Sequence, residues 1–136
     1  MTGQVPAAAR SMVERCEAEL VAAQFSTEPS DRFLHAHFAA LRAAGAVLEA
    51  SGGSRVRGRS ANAWDQLARH APELGMWSAR FAQSARVRAA LEAGRLDLVD
   101  EARAEELLCA AEDFRDAVCV WLGVEQPAPA PTAQAS

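Results

Sequence analysis

The closing third of the sequence constrains the fold most. Ala104, Leu107, Ala111, Phe114, Val118 and Trp121 recur at intervals of three and four, with Asp100 ahead of them and Gly123 behind. At about 100° per residue, an α-helix gathers those positions onto one side, with Asp100 as its N-cap. A helix with one apolar stripe is stable when something covers that stripe, so the rest of the chain must supply layers that pack on it. Composition says that these layers are helices too. Tyr and Ile are absent, aromatic residues make up 6% and Ala fills 32 of 136 positions, a mixture that favours helix over strand. No segment alternates apolar and polar residues with the period of two that a half-buried strand needs.

The earlier segments read as four more helices. Pro6 to Phe25 carries Val13, Cys16, Leu20 and Ala23 at helical spacing, with Glu14, Glu17 and Glu19 turned outward. Ser30 is placed to cap a second helix running to about Ala50, with Asp31 in its first turn. Two adjacent stripes, Phe33, His37, Ala40, Ala44, Val47 and Leu34, Phe38, Leu41, Gly45, Leu48, leave only Arg32, His35, Arg42 and Glu49 to mark a wet face. That pattern makes it the central helix of a bundle. Residues 51–59 lack apolar periodicity and read as a loop, after which Ser60 caps a short helix with Trp64, Leu67, Ala68 and Ala71. Pro72 forces a boundary, and a fourth helix from about Pro72 to Ala93 presents Leu74, Trp77, Phe81, Ala85 and Leu91 before Gly94. The expectation is an all-α, antiparallel bundle of four to five helices over residues 6–123, between a disordered stretch 1–5 and a disordered Pro/Ala tail 124–136.

Several function classes drop out on simple grounds. No apolar run approaches the roughly 20 residues that span a bilayer, and the N-terminus lacks the basic, apolar and small-residue pattern of a signal peptide. The expected location is therefore the cytoplasm, with no membrane partner. Cys16, Cys109 and Cys119 make an odd count without CxxC spacing, which reads as reduced, partly buried thiols rather than a disulfide framework or a zinc site. No Glu-x-x-His pair exists for a carboxylate-bridged metal site, and Pro72 separates His70 from Glu73. Neither a nucleophile elbow nor a phosphate-cradling glycine motif is present. The expectation is no metal and no cofactor.

Charge is unevenly distributed. Residues 1–51 sum to −2, residues 52–95 to +5 and residues 96–136 to −7, for a net charge of −4. The preferred reading is that the acidic last helix pairs with the basic middle of its own chain; the other is a basic face for a phosphate-bearing or acidic partner. For such a face the candidates are Arg55, Arg57, Arg59, Arg69, Arg80, Arg86 and Arg88, with His70 beside them. Trp64 and Trp77 sit in apolar stripes and read as core rather than as stacking platforms.

The most specific local feature is Arg32-Phe33-Leu34-His35-Ala36-His37, an Arg with a His five positions on. Such a pair suits metal-independent RNA cleavage, with His moving a proton at the ribose hydroxyl or leaving oxygen and Arg stabilising phosphate charge. On one helix, however, Arg32 and His37 stand about 140° apart, and His35 only about 60° from Arg32. His37 therefore reads as a hydrogen-bonded core histidine, and His35 as the better exposed candidate.

Three stretches together resemble a known family: Asp31 to Ala44, Ala63 to Ala68 followed by Ala71-Pro72-Glu73-Leu74 and Trp77, and the last helix from Ala104 to Val118. They are similar to the small actinobacterial proteins of the SAV_6107-like branch of the HEPN superfamily, over roughly residues 8–123. The resemblance implies a helical bundle that homodimerises. It also implies either ribonuclease activity or a non-catalytic role in binding RNA, nucleotide or protein. In the nuclease members the Arg-x4-6-His motif lies near the start of the last long helix; here that helix has no His and the match lies in the second helix. The leading expectation is accordingly a non-catalytic binding module, with RNA or nucleotide contact running through the Arg-rich segment. The alternative is a ribonuclease using Arg32 with His37, or His35, across a dimer interface.

Overall fold

The computed structural model describes residues 4–52 and 62–124. Among these residues the chain is all-α: α1 (Ala7–Phe25), α2 (Pro29–Ser51), α3 (Ala63–His70), α4 (Gly75–Glu92) and α5 (Glu101–Leu122). Short 3-10 turns at Pro72–Leu74 and Leu96–Leu98 lead into α4 and α5. Most of the expected loop 51–59, the cap at Ser60, Arg55, Arg57, Arg59 and nearly all of both expected disordered ends lie outside the described residues.

Helix boundaries follow local chemistry. Asp100 accepts the Arg103 backbone N–H at 2.9 Å and opens α5 as its sequence position foretells. Gly52 and Gly123, both at φ 76°, end α2 and α5 in the left-handed conformation that a Cβ disfavours. Two caps differ from expectation. The N-cap of α2 is Glu28, not Ser30, because Pro29 takes the first helical position, where its fixed φ and missing N–H cost nothing. The cap of α3 is Asn62, whose side chain accepts the Asp65 N–H at 2.9 Å. Pro72 starts a single 3-10 turn, so α4 proper begins at Gly75.

The central position of α2 rests on alanine. Ala36, Ala39, Ala40, Ala43, Ala44 and Ala46 are all buried, on more than one side of the helix, so neighbours approach closely all round it. Gly45 continues this surface, since a Cβ there would stand 2.5 Å from Met12 Cε of α1. Helix α1 runs antiparallel to α2, with Arg32 at the start of α2 reaching Ala23 and Ser26 at the end of α1. Glu17 and Gln24 of α1 meet Arg115 and Glu112 of α5 in antiparallel order, and Arg32 lies 3.6 Å from Glu105 near the start of α5, so α2 and α5 run in one direction.

The other half of the core is aromatic. Trp64 of α3 stacks on Phe81 of α4 at 5.2 Å, Phe81 meets Phe114 of α5 at 5.3 Å, and Trp77 meets Phe114 at 5.5 Å. Each such pair contributes about 0.5–1.5 kcal/mol beyond its buried area. The Trp121 indole N–H donates to Glu73 and ties the end of α5 to the turn before α4. Cys16 and Cys119 are buried, as expected; Cys109 is exposed, because its place on α5 faces away from α1 and α2.

Candidate functional site

The three residues of the Arg-x4-His segment are each engaged in holding helices together. Arg32 donates through Nε to the Ala23 carbonyl at 3.1 Å and through a terminal nitrogen to the Ser26 carbonyl at 2.6 Å. Those carbonyls belong to the last turn of α1 and its C-cap Ser26, where an α-helix leaves acceptors short of i+4 partners. Arg32 thus serves α1 as a C-terminal cap from the next helix. His35 Nδ1 lies 2.8 Å from Glu19 Oε1, another α1–α2 link, with its side chain 40% exposed. His37 is 1% exposed and bonds Ser84 of α4 at 2.8 Å. Burial, with a smaller contribution from the positive charge of Arg88, lowers the His37 pKa from 6.5 to about 4. At neutral pH His37 is therefore an uncharged ring in the core.

The arginines of the middle segment are spread rather than gathered. Arg86 lies about 120° from Arg80 and about 160° from Arg88 around α4. Arg80 and Arg86 are exposed, Arg88 is half-buried, and Arg69 is exposed in the last turn of α3 beside half-buried His70. Trp64 is buried in the core as expected, whereas Trp77 is only partly covered.

What the sequence reading missed is a groove between α4 and α5. It consists of two concavities of about 240 and 560 Å³, and Trp77, whose ring packs against the buried Phe81 and Phe114, lines the second. Arg80 and Glu106 line both. The α4 wall adds Gln83 and Val87; the α5 wall adds Arg103, Glu105, Cys109 and Asp113. Desolvation, followed by the negative charge of Glu105, Glu112 and Asp113, pushes the Cys109 thiol pKa up and disfavours its reactive thiolate.

The expected pairing of α5 with the basic middle segment is described only in part, since Arg55, Arg57 and Arg59 lie outside the described residues. The ion pairs of α5 among the described residues run to Glu17 of α1, through Arg115 at 2.7 Å, and to Arg32 of α2. Arg80 faces Glu105, Glu106 and Asp113 across the groove without closing an ion pair to any of them. No group of three or more His, Cys, Asp or Glu among the described residues is placed to hold a metal ion. No helix among them is long and apolar enough to cross a membrane.

Comparison with known proteins bears on the bundle as a whole. The SAV_6107-like HEPN family model matches residues 23–119, from the end of α1 almost to the end of α5. The chain belongs to the SAV_6107-like HEPN family. No curated protein and no solved structure matches it significantly. In this HEPN chain the family match spans both the Arg-x4-His segment and the α4/α5 groove.

Proposed function

We propose that this HEPN chain is a non-catalytic binding module, working as a homodimer with the α4/α5 groove as its docking face. The observation that carries the first part is the commitment of Arg32, His35 and His37 to contacts between α1, α2 and α4. A general acid or base needs a titratable group near the working pH and within reach of substrate. A ring with its pKa near 4 fails the first of these conditions. The groove supports the second part. Its α4 wall carries Arg80 and its α5 wall carries Glu105, Glu106 and Asp113. A two-fold axis above it sets the basic wall of one copy against the acidic wall of the other.

The test is labelled single-stranded RNA with chelator present, across a salt series, with sedimentation of the same sample. The expected result is intact RNA and a dimer that charge reversal at Arg80→Glu weakens and at Arg80→Glu with Glu106→Arg restores. Metal-free cleavage, lost in a folded His35→Ala or His37→Gln variant, overturns the non-catalytic reading in favour of the ribonuclease. Intact RNA bound in a salt-sensitive way supports RNA contact through the Arg-rich segment.

A further inference from the structure

On the flank of α4 away from the groove, a cleft of about 160 Å³ opens between α2, α3 and α4. His37 stands in its wall, with Ala82, Ala85 and Arg88 from α4 and Asn62 and Trp64 from the start of α3. Its floor is apolar, and its polar atoms have an unusual pattern of occupied and vacant hydrogen-bond positions.

Hydrogen-bond directions fix the tautomer of His37. Ser84 has one hydroxyl proton and donates it to the Phe81 carbonyl at 3.0 Å. The same oxygen lies 2.8 Å from His37 Nδ1, so Nδ1 carries the ring proton and donates to it. Nε2 of the neutral ring is then an acceptor, with no partner among the described residues. Arg88 brings the opposite character. Its Nε is buried without a hydrogen-bond partner, with Glu92 on the next turn as a long ion-pair partner at 3.8 Å, and the guanidinium lies 5.8 Å from the Phe38 ring centre. Its charge reaches His37, being the second cause of that ring's lowered pKa. Arg88 is the charged residue that lines the cleft among the described residues; Asp65, in the first turn of α3, is exposed and outside the lining. Of the leading N–H groups of α3, that of Asp65 is taken by the Asn62 side chain; those of Ala63 and Trp64 are of the kind a helix leaves without an intrahelical partner.

We propose that this cleft binds a small oxyanion that still carries a proton, monobasic phosphate being the chemistry it fits. The anionic oxygens pair with the Arg88 guanidinium and the Ala63 and Trp64 amides, one of the two P–O–H groups donates to His37 Nε2, and the other faces the open mouth of the cleft. At about 30 Å³ per water the space holds roughly five waters, enough for a phosphate group and little more. Sulfate is the discriminating competitor. It has the same shape but is fully ionised, so it sets a lone pair against the Nε2 lone pair instead of a hydrogen bond. A site built to accept a donor rejects an analogue that lacks one far more strongly than shape alone allows.

The experiment is a titration of the full chain with inorganic phosphate and with sulfate at about pH 6, where phosphate is largely monobasic and the buried ring is still neutral. Calorimetry gives the affinities and the ¹⁵N shift of His37 Nε2 reports the contact. Saturable phosphate binding about 10-fold or more tighter than sulfate, with a moved Nε2 signal, is expected. Arg88→Gln is expected to weaken phosphate about 10-fold or more, and Arg86→Gln, on the opposite side of α4, to leave it unchanged. Equal affinity for the two anions, no saturable phosphate binding, or phosphate affinity unchanged in folded Arg88→Gln overturns the proposal. If Arg88→Gln does not fold, the phosphate and sulfate comparison on the natural chain decides alone. None of these results depends on RNA binding or on the dimer face.

Discussion

Acidification puts the burial of His37 to a direct thermodynamic test. In the unfolded chain its pKa is the ordinary 6.5, and in the folded chain it is about 4. Between those values the unfolded state binds a proton that the folded state refuses, so stability falls as pH falls. The stabilisation is complete above the unfolded pKa, declines from about pH 6.5 downward and is gone once pH drops below the folded value near 4. At about 1.4 kcal/mol per pH unit the full effect is about 3 kcal/mol, of which about 2 kcal/mol is lost by pH 5. The side chain is 1% exposed, so solvent screening removes little of this.

Urea unfolding at about pH 7 and pH 5 measures it, on the natural chain and on His37→Gln, which cannot titrate. The variant is less stable at neutral pH because its amide must fit a site shaped for imidazole beside Ser84. What matters is the slope: the natural chain should lose about 2 kcal/mol more than the variant over this interval. Carboxylates elsewhere titrate in both proteins and cancel in the difference. Equal pH slopes would refute the reasoning, because they would mean that the folded chain takes up the His37 proton as readily as the unfolded one.

Other substitutions read the remaining contacts. Arg32→Ala removes two charge-assisted bonds to the end of α1 and should cost about 2 kcal/mol in chemical unfolding, with Arg32→Lys recovering only part because an ammonium cannot span both carbonyls. Phe114→Ala empties the centre of the α3–α4–α5 aromatic cluster and should cost about 3–5 kcal/mol, seen as a large fall in the urea midpoint. Gly45→Ala should be near neutral or stabilising by up to about 1 kcal/mol, since helix propensity gains and only the mobile tip of Met12 must move. Gly45→Leu should be clearly destabilising in the same assay. A thiol reagent should modify Cys109 in the folded chain and reach Cys16 and Cys119 only after denaturation. Those two are buried, and burial pushes the Cys16 pKa up to about 12.

These tests separate what the sequence carries openly from what it carries only through the fold. The stripes of α2 and α5 are legible because burial acts on every turn of a long helix, so each turn repeats the same evidence of which side faces inward. The inward position of His37 is legible for the same reason. Its partner is not, because Ser84 lies 47 positions away and nothing in a serine marks it as the acceptor for a buried ring. Arg32 shows the limit most clearly. Its acceptors are main-chain carbonyls, which every residue possesses, so the cap leaves no trace in residue type at positions 23 and 26. The same arginine therefore reads as half of a catalytic pair until the α1–α2 turn is seen in space. The scatter of Arg80, Arg86 and Arg88 was available from helical angles alone, and their clustering in sequence conceals it. The α4/α5 groove was not available. It joins residues of α4 to residues of α5, and which residues face each other across two packed helices is a property of packing that single-helix periodicity does not contain.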